Sequence, residues 1–233
     1  MILSYKDINS IANTIIKQYE IKRGEPIDRV DITDLLKQMY GVDVEYFTLS
    51  QNNEVLGLAS PTDVAIKVWN GNSPTIVQIG LNLVLVDSSL LEPNLTGRRN
   101  FTVAHEGAHQ ILFRMEPKKV DLKLRKTTLS SSIFDQSDWE EWQANTLASC
   151  LLLPELQVKR MFWLLFGETR INLIQPENKN VYLPFVAMAD FFRVSKEALA
   201  IRLKQLKLIG EYKLERTIRY VNPLDIYLTE VDE

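Results

Sequence analysis

Phe101-Thr102-Val103-Ala104-His105-Glu106-Gly107-Ala108-His109-Gln110-Ile111-Leu112-Phe113 holds both histidines of this 233-residue chain, four positions apart, with a glutamate directly after the first. On an α-helix, residues i and i+4 share a face, so His105 and His109 present two imidazole nitrogens to one metal ion. Glu106 then sits beside the pair, placed to act as a base rather than as a ligand. Phe101, Ala104, Ala108 and Leu112 form an apolar stripe next to the histidines, so the site faces other structure and not bulk water. Gly107 and Ala108 are small enough to let another element come close. The competing explanation of the same spacing is a helix that merely carries two partly buried histidines.

Two imidazoles do not complete a metal site. At least one more protein ligand is required, and a catalytic site keeps a position for water. No third histidine exists, and Leu112 and Met115 stand where the extended form of the motif has its glycine and histidine. The third ligand is therefore a downstream carboxylate or, less favourably, Cys150. Glu141 is the best carboxylate, because Ala144, Asn145 and Ala148 follow it at helical spacing and small residues suit close helix packing. Glu140 stands about 100° round the same helix, so at most one of the two serves. On spacing alone, a solvent-facing Glu141 remains the alternative.

Outward from this run the chain reads as helices around a small sheet. Ser4 and Asp7 start a first helix carrying Ile8, Ile11, Ile15 and Tyr19, and the stretch Arg23 to Pro26 breaks it. A second helix begins near Asp28 or Asp31 and stops at Gly41. Residues 42–48 alternate as a strand. Residues 55–59 and 64–69 flank Ser60-Pro61-Thr62-Asp63 and read as a hairpin, and residues 75–85 read as one buried strand. The expected sheet is mostly antiparallel, and an edge strand beside a metal cleft is able to accept an extended peptide.

The motif helix should run over 98–115, with Pro117 stopping it. Residues 118–137 read as a surface excursion. A capping box at Ser137–Glu140 starts the next helix, which Pro154 closes, and an apolar core helix follows over 155–166. Residues 167–180 read as irregular. Residues 184–192 and 196–208, joined at Arg193-Val194-Ser195, have the outline of a helix-turn-helix whose second helix is basic through Lys196, Arg202, Lys204 and Lys207. Tyr212, Leu214, Ile218 and Tyr220 alternate as a final hairpin.

Bulk properties narrow the classes. A net charge of −3 gives no global signal for nucleic acid or anionic membrane. A single cysteine excludes an internal disulfide and fits a reducing compartment. The N-terminal residues lack a signal-peptide pattern, and the longest apolar runs, near 81–86 and 158–166, are too short to span a bilayer. The expectation is a soluble cytoplasmic protein of α+β class that does not enter membranes.

The run Arg99 to His109, followed by Glu141-Trp142-Gln143-Ala144-Asn145 and Leu151-Leu152-Leu153-Pro154, resembles the ImmA/IrrE family of metallopeptidases. Their pattern is R-x-F-T-x-A-H-E-x-x-H, then E-x-x-A-N-x-x-A, then L-L-x-P. The likeness is strong over about residues 95–155 and weaker over 55–95 and 184–207. Two departures stand out: Gly107-Ala108 replaces the usual Leu-Gly, and a long insert precedes Ser137.

The resemblance implies a zincin-like core over residues 1–166, followed over 167–233 by the helix-turn-helix-like segment and tail. It implies that His105, His109 and Glu141 bind Zn2+ and that Glu106 is the catalytic base. Tyr182, Arg98 and Arg99 are candidates for stabilising the oxyanion. Asn145 serves either behind the ligands or in helix packing. The implied activity is an endopeptidase that cleaves a regulatory protein, such as a transcriptional repressor. The other reading is a DNA- or protein-binding module with a structural or vestigial metal site.

Overall fold

A computed structural model describes residues 2–50, 54–71, 73–115 and 136–214. Helix α1 (Tyr5–Arg23) starts in the expected capping box: Ser4 Oγ accepts from Asp7 N, and the Asp7 carboxylate accepts from Ser4 N. Gly24, at φ 77°, ends it. Asp31, not Asp28, caps α2 (Ile32–Tyr40), because its side chain accepts from Asp34 N.

The strands are β1 (Asp43–Phe47), β2 (Gly57–Ala59), β3 (Val64–Asn70), β4 (Ser73–Ile79) and β5 (Leu83–Asp87). They depart from the sequence expectation in three ways. Residues 55–59 and 64–69 do not form a hairpin: β2 pairs antiparallel with β5, and β3 pairs with β4. The signal for the true hairpin is Gly71, which opens the two-residue turn between the paired Asn70 and Ser73 and has φ 59°. The run 75–85 is two strands, broken at Gly80-Leu81-Asn82. The sheet is also mixed, in the order β1-β5-β2, with β1 parallel to β5.

The break between β4 and β5 has a tertiary cause. Its carbonyls are taken by side chains from the motif helix α3 (Thr96–Met115). Gln110 Nε2 donates to Gly80 O at 3.0 Å and to Leu83 O at 3.2 Å. Arg114 donates to Leu81 O and to Asn82 Oδ1. These bonds give a bent backbone the partners a sheet ladder would otherwise supply. They also tie α3 to the end of the sheet.

Beyond α3 come α4 (Gln136–Leu152), α5 (Glu155–Phe166), β6 (Ile171–Ile174), α6 (Lys179–Phe192), α7 (Lys196–Gln205) and β7 (Ile209–Tyr212). The segment expected to be irregular contains β6, which pairs in parallel with β7. That pairing replaces the C-terminal hairpin at Tyr212 and Leu214; its remaining part, at Ile218 and Tyr220, lies outside the described residues. So do Pro117 and most of the excursion before Ser137. Helix α4 begins at Gln136, one residue before Ser137, where the sequence places the start. Helix α6 starts five residues before Pro184 and includes it. Helix α7 stops at Gln205, and Lys207 turns back at φ 60°.

One large buried cluster joins α1, α2, α3, α4 and the α6–α7 pair, with Val84 and Val86 of β5 on its side of the sheet. Leu85 points the other way, into a smaller cluster with Leu58, Val68 and Ile79 under the β3–β4 hairpin. This alternation buries β5 on both faces, which is why its sequence is continuously apolar. The architecture is α+β, with small sheets and several helices. Among the described residues, no helix is long and apolar enough to cross a membrane.

Candidate metal centre

The site is built on α3, which is buried continuously from Thr102 to Ile111. His105 and His109 lie one turn apart, with rings 4.7 Å apart between centroids and nearly perpendicular, at 85°. Phe101 stacks on His105 and Phe113 stacks on His109, so an aromatic ring brackets each imidazole along the helix.

Helix α4 packs across α3 and brings Glu141 to the pair. Ala144 and Ala148, both fully buried, permit the close approach. Glu141 Oε2 lies 3.2 Å from His105 Nε2, and Oε1 lies 3.3 Å from His109 Nε2. The two Nε2 atoms are 3.2 Å apart. A tetrahedral ion with bonds of about 2.0–2.1 Å holds neighbouring ligand atoms roughly 3.3–3.4 Å apart. The separation of the two imidazole nitrogens is close to that spacing, as is each Glu141 contact, although the two contacts use different carboxylate oxygens, and these residues form a group able to hold a metal ion. Cys150 is elsewhere: it is buried, with its thiol on Asn9 Oδ1 at 3.6 Å.

Asn145, one turn after Glu141, places Oδ1 3.0 Å from His105 Nδ1. An amide oxygen accepts only, so Nδ1 carries the proton and the Nε2 lone pair faces the cluster. The carboxylate and the imidazoles also act on one another's protonation. Burial works to raise the Glu141 carboxyl, but hydrogen bonds and charge from His105 and His109 outweigh it and hold the group well below the usual carboxylate range. Burial works to lower His105, and Glu141, Glu106 and Asn145 together raise it.

Glu106 is buried, at 3 % exposure. The edge strand β2 passes against it: a Cβ on Gly57 would lie 2.6 Å from Glu106 Cγ, 2.7 Å from its Oε1 and 2.8 Å from Thr102 Cγ2. Sequence reasoning overlooked Gly57. The available signal was a lone glycine in a strand, which marks close approach of another group. Gly107, where the chain departs from the resembled motif, meets α2: a Cβ there would lie 2.5 Å from Leu36 Cδ1.

The three oxyanion candidates are spread out. Arg99 donates to Leu91 O at 3.5 Å and lies near Tyr46. Tyr182 is buried in the α6–α7 region, where its hydroxyl accepts from Lys196 Nζ at 3.3 Å. Arg98 precedes His105 by two turns. In α7, Arg202 is fully buried and donates to Leu153 O and Asn9 Oδ1, both at 2.9 Å, and to Tyr5 Oη. Lys204 pairs with Glu211 at 3.2 Å. The α6–α7 turn is covered by α3, with Asn100 Nδ2 donating to Arg193 O at 3.0 Å. The basic face expected of α7 is thus partly interior.

Residues 91–204 match the peptidase M78 family, described as an IrrE N-terminal-like domain. No curated protein matches the chain. Among solved structures, a Mycobacterium tuberculosis transcriptional regulator is similar at 13 % identity with a TM-score of 0.44, over 85 % of this chain and 46 % of that one. The chain therefore spans about half the length of that structure.

Proposed function

From residues 91–204, which belong to the ImmA/IrrE family of metallopeptidases, we propose that this protein is an intracellular zinc endopeptidase with a zincin-like core. Its substrate is a regulatory protein of the transcriptional-repressor class, as the family resemblance implies. The observation that carries the reading is the His105–His109–Glu141 cluster, with the two Nε2 atoms 3.2 Å apart and the Glu141 oxygens 3.2 and 3.3 Å from them, beside a buried Glu106.

When bound, the ion supplies Lewis-acid polarisation of water and of the peptide carbonyl. His105, His109 and Glu141 hold it, and Asn145 fixes the His105 ring and tautomer. Glu106 takes a proton from the attacking water at its carboxylate and delivers it to the leaving amine nitrogen. Strand β2, at the sheet edge beside Glu106, receives the substrate in extended form.

The α6–α7 pair keeps the outline of a DNA- or protein-binding motif, which is the alternative function. Against it stand the buried Arg202 and the turn held by α3. One experiment separates the two. Wild type and Glu106→Gln should each bind about one zinc, and only wild type should cut a co-encoded repressor. Zinc in both and cleavage by neither would favour the binding module, as would DNA binding that falls steeply with salt.

A further inference from the structure

Resting on the peptidase reading, we propose that Arg98 is a substrate-binding residue that takes an acidic side chain of the cleaved protein, three or four residues from the scissile bond. Arg98 precedes His105 by seven residues, which is two helical turns less about 20°. It therefore lies on the same face of α3 as His105 and His109, between Phe101 on one side and Thr102, which touches β2, on the other. The displacement along the helix is about 10.5 Å, and side chains lean toward the helix N-terminus. An extended peptide advances about 3.3 Å per residue, so that offset corresponds to three or four residues.

Arg98 is half-buried, and among the described residues no carboxylate pairs with it. Its position near the start of α3 adds a second cost, since the helix N-terminus is the positive end of the dipole. Burial also pushes its guanidinium below the ordinary arginine value. Arg99, next in sequence, faces Tyr46 and Leu91 instead. A substrate carboxylate at Arg98 would offset both costs, because the planar guanidinium fork matches a carboxylate in two parallel hydrogen bonds.

The test uses peptides anchored to zinc by a terminal hydroxamate, in two series with the hydroxamate at either end. A single Glu is moved from the first to the fifth residue and compared with Gln at each position. Affinities are measured on the zinc-loaded full chain of wild type, Arg98→Ala and Arg98→Lys. In one series, Glu at the third or fourth position should bind wild type roughly ten- to hundredfold tighter than Gln. Arg98→Ala should abolish that preference with zinc content unchanged, and Arg98→Lys should keep part of it. Equal affinity of Glu and Gln at every position in both series overturns the assignment and leaves the peptidase reading intact. A preference that survives in Arg98→Ala does the same. Failure of every hydroxamate to bind wild type overturns the metal-site reading, and this assignment with it.

Discussion

Replacing Gly57 by alanine tests the geometry around Glu106 most directly. The added Cβ would sit 2.6 Å from Glu106 Cγ, 2.7 Å from Glu106 Oε1 and 2.8 Å from Thr102 Cγ2. Ordinary contact between carbon atoms begins near 3.5 Å, so the glutamate side chain must yield by about 0.9 Å and the threonine methyl by about 0.7 Å. Neither group has open space to enter, because Thr102 and Glu106 are both buried. Overpacking of this kind costs about 1–3 kcal/mol, and the lower backbone entropy of alanine returns about 0.5–1 kcal/mol. The net expectation is a loss of about 0–2.5 kcal/mol, centred near 1 kcal/mol, in denaturant unfolding. A displacement near 1 Å of the catalytic group should also lower turnover about 100-fold. Zinc content should stay at the wild-type level, since none of the three ligands is touched. A double-mutant cycle with Glu106→Ala isolates the contact, because that change removes two of the three clashing atoms. The two substitutions should then couple by about 1 kcal/mol. Additive effects, or a Gly57→Ala protein with wild-type stability and turnover, would refute the close approach of β2.

Other expectations follow from particular contacts. Asn145→Ala should weaken zinc binding about 10- to 100-fold in a chelator competition, because His105 loses the partner that fixes its tautomer. Unchanged affinity would show that Asn145 serves packing alone. Arg202→Leu should cost about 3 kcal/mol or more in denaturant unfolding, since it strands the buried Leu153 O and two part-buried acceptors on Tyr5 and Asn9 and replaces a fully buried side chain. A cost below about 1 kcal/mol would restore α7 as a surface helix. The Tyr19–Asp34 hydrogen bond between α1 and α2 predicts two pH limits. Burial, then the Asp34 acceptor, pushes Tyr19 up to about 12, so its contribution is full below pH about 10 and is lost as pH rises toward 12. The Tyr19 hydroxyl holds Asp34 low, so that contribution is full above pH about 4 and is lost on acidification. Unfolding curves of Asp34→Asn should show a weaker dependence at both ends, and an unchanged pH profile would contradict the assignment.

The sequence by itself determined the elements whose signals are local. Ser4, Asp31, Gly24 and Gly41 bound two helices through caps that need only neighbouring backbone groups. The two histidines share a face because 3.6 residues make a turn, whatever surrounds the helix. The small residues after Glu141 mark it in the sequence, and the family resemblance points to the same residue. What remained open was whether α4 would turn that face toward α3, which depends on packing between segments 32 residues apart. The tertiary structure also decided which strands pair. Strand β2 joins β5 instead of its neighbour β3, and the apolar run 75–85 bends where Gln110 and Arg114 of α3 supply hydrogen bonds. No local pattern encodes those partners. The same holds for Gly57 and Arg202: one is constrained by a glutamate 49 residues away, and the other is drawn inside by acceptors on α1 and at the end of α4. Periodicity and caps are properties of one segment, whereas strand partners, buried charges and close approaches are properties of pairs of segments, fixed only when the chain has packed.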